Sequence, residues 1–301
     1  MVEVRAYSPC HVTGFFEIHD EAEDPLRRGS KGAGISLEMG VVTSVSLRRS
    51  AKSRAHFKIN GLTCELPVSA NVVKKLLSKS SEIYEVIVEH SVLAPMGAGF
   101  GTSGAGALSL ALALNEALGA ELSREEAAQV AHLAEVECRT GLGTVITELY
   151  GGFEVRTEPG APGVGKLKRL PLSGDYFVVA VSLGPISTKA MLGDRSVRRR
   201  INEAGRSAMT AFMRSPSLGS FLGLSRKFSD EIGLESDRIR CILRNTDEQG
   251  LRCSMNMFGE AVFTVVNSNE AEKAFAVFEA YANSDRDLVV SPVEYKGARL
   301  I

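Results

Sequence analysis

The chain has 301 residues, 44% of them hydrophobic and 24% charged, which is enough apolar material for a sizeable core and excludes a disordered or fibrous protein. Its 35 basic and 36 acidic residues leave a net charge of −1, so no overall field attracts nucleic acid or a membrane surface. The five cysteines are scattered and form no C-x-x-C pair, which disfavours disulfides and zinc and favours the reducing cytoplasm.

The first ninety residues read as short β segments. We expect strands at 2–8 and 40–49, and a hairpin over 56–67 whose turn is Asn60-Gly61. The charged N-terminus lacks the apolar core of an export signal. A short helical face at Val72–Leu77 precedes a strand at Tyr84–Leu93, which stops before Pro95. This pattern predicts an antiparallel sheet.

A glycine-dense segment and two helices follow. The uncharged run from Ser91 to Asn115 has the length of a membrane span, but five glycines interrupt it, so we expect a buried helix at Ala105–Leu118 behind a loop. A second helix is predicted at Arg124–Cys138, opened by a capping box of Ser123 and Glu126. No membrane partner is therefore expected.

Turn residues concentrate at 158–171, and we place a domain boundary there, with domains at 1–165 and 166–301. The second half alternates strands and helices, which indicates an α+β layer in each half. Its predicted elements are a strand at 177–184, a helix at Thr188–Met213, a strand at Ala261–Val266, a helix at Ala271–Tyr281 and a strand at Leu288–Tyr295.

The glycine-dense loop from Pro95 to Gly106 carries the strongest chemical signal. Closely spaced glycines let backbone amides converge on one concavity, and the following helix adds positive partial charge, so we expect a phosphate there. Thr102 and Ser103 stand at the first turn of that helix, where a hydroxyl can cap the helix or bind Mg²⁺.

Two common phosphate loops do not fit this segment. Gly99 and Gly104 have Walker spacing, but Ala105 occupies the position of the required lysine. The same glycines with Gly101 match the dinucleotide fingerprint, yet the next element is another helix and not a parallel strand ending in an acid. Both interpretations are therefore disfavoured.

The loop instead resembles the second motif of the GHMP kinases, Pro-x3-Gly-Leu-Gly-Ser-Ser-Ala. The resemblance extends over most of the chain. It is carried by SPCHVTGFF at 8–16, DPLRRGSKGAG at 24–34, Pro95 with Gly99 to Ser103, GGFEVRTEPGAPG at 151–163 and GARL at 297–300. Among GHMP kinases, this combination is similar to the archaeal pantoate kinases.

The resemblance implies a two-domain α+β fold, with a mixed N-terminal sheet carrying the phosphate loop and a ferredoxin-like C-terminal domain. It also implies transfer of the γ-phosphoryl group of ATP to the 4-hydroxyl of pantoate, a step in coenzyme A biosynthesis, with Mg²⁺ as cofactor. A homodimer is expected on the same ground.

The resemblance assigns roles to individual residues. It places ATP on the loop and makes Ser103 a catalytic residue that, together with Glu135, binds the metal. The nucleotide contacts would be Pro95, Gly97, Ala98, Gly99, Gly101, Thr102, Ser103 and Gly104. The substrate contacts would be His11, Arg27, Lys31 and Thr188. Independently, a cluster of Arg27, Arg28 and Lys31 between glycines suits a carboxylate, although each of these charges could equally be solvated.

Several positions depart from the family pattern. Mevalonate-type members carry an aspartate base seven residues before a Gly-Gly pair. This chain has Thr144 there, which by its position is the second catalytic candidate beside Ser103. Glu148, one turn on, could serve, but a solvated carboxylate is the favoured interpretation. Glu137 is close enough to replace Glu135 as the metal ligand. The third motif, 253–259, holds a single glycine. The arginines of 195–206 are expected on a solvated amphipathic helix.

Three hypotheses follow from these departures. The leading one is a pantoate kinase. The second is a GHMP kinase for another small hydroxy acid or isoprenoid precursor. The third is a non-catalytic ligand-binding relative, which Thr144 and the altered third motif would favour. Fold resemblance alone does not choose among them.

Overall fold

The structure is a computed structural model that describes residues 2–78, 80–186, 191 and 193–301. The helices are α1 Pro67–Leu77, α2 Thr102–Leu118, α3 Arg124–Cys138, α4 Thr144–Tyr150, α5 Arg195–Arg214, α6 Leu218–Ile232, α7 Asp237–Glu248 and α8 Ser268–Glu279. The strands are β1 Val2–His19, β2 Gly29–Arg49, β3 Arg54–Ile59, β4 Leu62–Thr63, β5 Tyr84–Val92, β6 Phe153–Glu158, β7 Lys166–Leu170, β8 Tyr176–Pro185, β9 Ser254–Met255, β10 Gly259–Asn267, β11 Leu288–Pro292 and β12 Arg299–Leu300.

The first sheet has the order β12-β1-β2-β5-β3-β4. β6 pairs with the N-terminal part of β2, and β7 pairs with β6. β3 pairs with β5 in parallel, whereas the other pairs are antiparallel, so the expectation of a purely antiparallel sheet is wrong and the mixed sheet is correct. The predicted hairpin is confirmed. Asn60 and Gly61 both take positive φ, at 49° and 81°, as a two-residue hairpin turn requires.

β1 continues well beyond the predicted end at Ser8. Register shifts at Pro9/Cys10 and Thr13/Phe15 absorb the irregular residues, so the motif at 8–16 lies inside a strand. The glycines at 29–34 likewise lie on β2 and not in a loop. A Cβ on Gly34 would lie 2.2 Å from the His11 ring, which is why glycine is needed at that position.

Helices α1, α2 and α3 cover one face of the first sheet. α3 has the predicted bounds and its capping box of Ser123 and Glu126, while α2 begins three residues earlier than expected, at Thr102. α2 is almost wholly apolar because its residues from Gly104 to Leu114 are buried between the sheet and α3. Within the described ranges, no helix is long and apolar enough to cross a membrane.

The second sheet is antiparallel with the order β11-β8-β10-β9, and the element order is strand, helices, two strands, helix, strand. This is the predicted ferredoxin-like arrangement. The predicted strand over 288–295 ends early, at Pro292. The predicted helix from Thr188 starts outside the described residues, and α5 runs from Arg195 to Arg214.

The division at 165/166 stays a prediction. β7 follows that boundary but pairs with β6 in the first sheet, so the chain changes sheets between Leu170 and Tyr176. At the C-terminus, β12 returns to pair with β1. The C-terminal half of β1 and the N-terminal half of β2 pack with the second sheet in one core, and the candidate site lies along that junction.

Candidate active site

A cavity of about 320 Å³ lies below the glycine-rich loop. Eight parts of the chain contribute to its wall: β1, β2, the loop with the start of α2, α3, the connection between α3 and α4, the start of α4, β6 and the turn before β10. The lining residues are Thr13, Phe16, Ser30, Gly97, Gly99, Phe100, Gly101, Thr102, Ser103, Gly104, Glu135, Thr140, Gly141, Leu142, Gly143, Thr144, Arg156, Met257 and Phe258.

The loop has the conformation that its glycines predict. Gly97, Gly99 and Gly101 take φ values of 72°, 84° and 69°, a region that residues with a Cβ adopt at a cost. Gly101 is also the residue before α2, and no side chain caps the first turn of that helix. The first-turn amides of α2 therefore face the cavity as donors for an anion.

Most predicted nucleotide contacts line this cavity, but two do not. Pro95 and Ala98 lie outside the wall, and the Ala98 carbonyl instead accepts a 3.0 Å hydrogen bond from the Asn256 side-chain amide. A Cβ on Gly259 would lie 1.9 Å from that carbonyl oxygen, so the single glycine of the third motif permits the contact. The third motif therefore supports the loop even though its other glycines are missing.

Ser103 and Glu135 meet inside the cavity. The Ser103 hydroxyl donates a 2.5 Å hydrogen bond to Glu135 Oε1, and the Thr140 hydroxyl donates a 2.8 Å bond to the same oxygen. Ser103 therefore does not act as a helix cap. Glu135 is 2% exposed, and burial raises the pKa of its carboxyl, although the two hydroxyl donors oppose the rise.

The choice between Glu135 and Glu137 is clear from their positions. Glu135 is buried against the cavity. Glu137 points to solvent and bonds to Lys75 and Asn71 at 2.6 and 2.7 Å. Glu135 is therefore placed to meet a cation, although its role stays a prediction.

A hard divalent cation fits these donors. In the described part of the chain, no three histidine, cysteine, aspartate or glutamate side chains cluster as a metal site. One carboxylate and one hydroxyl, Glu135 and Ser103, stand beside the predicted phosphate position. Mg²⁺ is commonly held in this way, by one or two carboxylates plus phosphate oxygens and water.

Thr144 lines the cavity, whereas Glu148 lies behind it. The expectation that Glu148 is solvated is wrong, because its side chain is fully buried beneath Gly101 and Gly104. Neither carboxyl oxygen has a hydrogen-bond partner of good geometry. Burial, followed by the nearby Glu135 charge, raises the pKa of Glu148 well above its usual value, and the Thr144 hydroxyl only weakly opposes this.

A buried network also borders the cavity. His11 Nε2 lies 3.0 Å from Glu154 Oε1, and Arg156 donates a 2.9 Å bond to the same oxygen. Burial lowers the pKa of His11, although the Glu154 carboxylate opposes the shift, so the ring is neutral and its Nδ1 can accept from the Thr13 hydroxyl at 3.2 Å. Thr13 and Arg156 line the cavity; His11 stands behind them.

Arg156 is the functional candidate that sequence reasoning missed. It is 2% exposed, it lines the cavity, and its Nε has no hydrogen-bond partner. A buried guanidinium with an unused donor is suited to an anionic ligand. Arg156 lies in the segment 151–163, which contributed to the family resemblance. The pattern of polar and apolar residues in that segment did not indicate that the Arg156 side chain faces the cavity.

The predicted basic contacts lie elsewhere. Arg27 has a side chain that is 72% exposed and lies 3.8 Å from Asp24, and Lys31 is half-buried on β2; neither lines the cavity. Arg28 bonds to the Ala22 carbonyl at 2.7 Å. Thr188 lies outside the described residues. The substrate roles of Arg27 and Lys31 therefore stay predictions.

Comparison with known proteins shows that the chain is similar to kinases that act on small molecules. Residues 68–152 match the family model of the GHMP kinases N terminal domain. The chain is 38% identical to the pantoate kinase of Thermococcus kodakarensis over 90% of both chains. It is 30% identical to that of Methanocaldococcus jannaschii over 91% of this chain and 96% of the other. A solved structure described as a phosphotransferase related to the CoA biosynthesis pathway aligns with a TM-score of 0.88 and 34% identity, covering 100% of this chain and 99% of that one.

Proposed function

We propose, from the premise that this chain belongs to the pantoate kinase family of the GHMP kinases, that it transfers the γ-phosphoryl group of ATP to the 4-hydroxyl of pantoate. The product, 4-phosphopantoate, would serve coenzyme A biosynthesis. The observation that carries the proposal is the Ser103–Glu135 hydrogen bond inside the cavity, directly below the glycine-rich loop. This pair puts a hydroxyl and a carboxylate where a nucleotide's phosphates would approach the loop amides.

The loop and the start of α2 would bind the phosphates of ATP. Gly97, Gly99 and Gly101 open the backbone to close approach, and the uncapped first turn of α2 supplies amide donors. Ser103 and Glu135 would hold Mg²⁺, which neutralises charge on the phosphate oxygens when it is bound.

Arg156 would bind the substrate's carboxylate. Its Nη1 is held by Glu154 while Nε has no hydrogen-bond partner, so the guanidinium keeps donor capacity for a carboxylate that binds beside it. Thr13 and Ser30 add hydroxyls on the same side, where they can meet the hydroxyl next to the carboxylate. His11 acts through Thr13 and not by direct contact.

In the reaction, the 4-hydroxyl oxygen of pantoate forms a bond to the γ-phosphorus as the bond from that phosphorus to the bridging oxygen of ADP breaks. The hydroxyl proton leaves to water. Thr144 borders the reacting end of the cavity, but a threonine hydroxyl is not a base at neutral pH, so its role is to orient the alcohol. Phosphoryl transfer depends mainly on positioning and charge neutralisation, so it does not require a strong base here.

A coupled assay of ADP release tests the proposal. The purified protein would be given ATP and Mg²⁺ with pantoate, mevalonate, homoserine or shikimate in turn. We expect turnover with pantoate and little with the other three. If only one of the other three alcohols were turned over, that alcohol would replace pantoate as the proposed substrate. ATP binding without turnover on any of the four would support a ligand-binding relative.

We further propose a cytoplasmic homodimer. All five cysteines are free, which suits a reducing compartment, and the dimer is supported by the family resemblance alone. Light scattering coupled to size-exclusion chromatography tests the assembly, with a mass near twice 32.3 kDa expected. A mass that stays at one chain over a wide concentration range would refute the dimer.

A further inference from the structure

Apolar side chains line part of the cavity. Three of them are Phe16 of β1, Leu142 of the α3–α4 connection and Phe258 before β10, and we call these three residues the apolar wall. The Phe16 and Phe258 rings meet edge to face, with centroids 5.3 Å apart. Phe16 is buried, while Leu142 and Phe258 are half-buried and keep part of their surface toward the cavity.

The apolar wall borders Arg156. A Cβ built on Gly32 would lie 2.7 Å from Arg156 Nη2 and 2.9 Å from Phe16 Cβ, so both groups face the same point. On the other side, a Cβ on Gly143, the residue after Leu142, would lie 3.6 Å from Arg156 Nε. A ligand whose carboxylate meets Arg156 would therefore place its next carbons against the apolar wall.

The wall is also held in place before any ligand binds. Phe258 has φ 61°, an uncommon value for a residue with a Cβ, and the chain beside it is fixed where Gly259 packs on the Ala98 backbone. Such strain persists only where the surrounding structure determines the backbone. The position of the Phe258 ring is therefore set by the same contact that supports the glycine-rich loop.

We propose that the apolar wall holds the carbon of pantoate that carries two methyl groups and thereby selects a branched hydroxy acid. This inference rests on the proposed function. Pantoate has a carboxylate at one end, the phosphate-accepting hydroxyl at the other, and a dimethyl carbon between them. The cavity wall carries a matching group for each part, with the Arg156 guanidinium, the Ser103 hydroxyl at the loop and the apolar wall. An unbranched acid would leave the wall without contacts.

The test compares kcat/KM for pantoate and for (R)-2,4-dihydroxybutanoate, which keeps the carboxylate and both hydroxyls but lacks the two methyl groups. We expect the wild-type protein to prefer pantoate by about 10- to 200-fold, the range for one hydrophobic group in a fitted pocket. Leu142→Ala should lower that preference at least about threefold, mainly through pantoate. Leu142→Val should give an intermediate value.

Met257→Ala is the matched control, since Met257 lines the same cavity beside Gly99, at the nucleotide end. It should change both substrates by the same factor and leave the preference unaltered. Should Leu142→Ala fail to fold in a thermal melt, Phe258→Leu takes its place in the comparison.

An equal rate with both substrates in the wild-type protein would overturn the inference and leave the kinase assignment intact. A preference that Leu142→Ala leaves unchanged would overturn the role of the wall in the same way. Absence of ADP release with either substrate would instead refute the proposed function itself.

Discussion

The Ser103 hydroxyl at the first turn of α2 donates a 2.5 Å hydrogen bond to Oε1 of Glu135 on α3. The two residues are brought together because α3 packs against α2, which lies on the first sheet. The bond joins the glycine-rich loop to a buried carboxylate, and so connects the part of the site that would bind phosphates with the part that would bind Mg²⁺.

Ser103→Ala should lower kcat by about 100-fold, the usual cost of removing one donor that acts on the transition state, with an almost unchanged melting temperature. Thr140→Ala is the matched comparison because Thr140 donates to the same Glu135 oxygen. The Thr140 variant should lose clearly less kcat than the Ser103 variant. Equal losses in both variants would mean that Ser103 acts only by holding Glu135, and an unchanged rate would remove it from the reaction.

Glu135→Gln should lower kcat by about 100-fold and raise the Mg²⁺ concentration needed for half-maximal activity, since the amide keeps the shape but loses the charge. Glu137→Gln on the same helix is the control. Its exposed ion pair with Lys75 contributes little, so activity should stay within about twofold. Titration of activity with Mg²⁺ checks both variants, and a larger loss in the Glu137 variant would reverse the assignment.

Arg156→Lys should raise KM for pantoate at least about tenfold with little change in KM for ATP. Lysine keeps the charge but not the planar fork, and a charge-assisted hydrogen bond is worth about 1.5–3 kcal/mol. Arg27→Ala, made at the exposed arginine, should have a smaller effect. Steady-state kinetics in which pantoate and ATP are varied in turn measures both KM values. A larger rise in KM for pantoate in the Arg27 variant would restore that residue as the carboxylate contact.

The local features of the site could be predicted from the sequence because they depend on neighbours along the chain. The glycine pattern requires positive φ at Gly97, Gly99 and Gly101, and the capping box fixed the start of α3. Arg156 could not be predicted. Whether it faces inward depends on how β6 pairs with β2, where it stands opposite Gly32, and that pairing joins segments more than a hundred residues apart.

The course of β1 shows the same limit in the fold. The predicted strand ended at Ser8, just before Pro9. In the structure, two bulges keep β1 paired with β2 through to His19. Long-range pairing outweighs the local preference, and it is this extension that carries Thr13 and Phe16 into the cavity.

Glu148→Gln should raise the melting temperature at pH 8 by a few degrees. Burial raises the pKa of the Glu148 carboxyl, so its contribution to stability is complete below the unfolded value near 4.5 and is lost as pH rises through the folded value. Glutamine has no proton to lose. Thermal melts from pH 5 to 8.5 should show the variant's advantage growing with pH, and a difference independent of pH would contradict this account.

His90 should make the fold sensitive to acid. It is buried between Thr43 and Ser69, whose hydroxyls lie 2.7 and 3.0 Å from its ring nitrogens, and burial lowers its pKa from 6.5 to about 4. As pH falls through that interval, the unfolded chain takes up a proton that the folded protein resists, so up to about 3 kcal/mol of stability is lost. His90→Gln should start less stable but lose less between pH 6.5 and 4.5, as measured by denaturant unfolding at each pH. Because burial also lowers the pKa of His11 and His132, the wild-type slope alone is not decisive, and equal slopes in the two proteins would exclude His90 as the source.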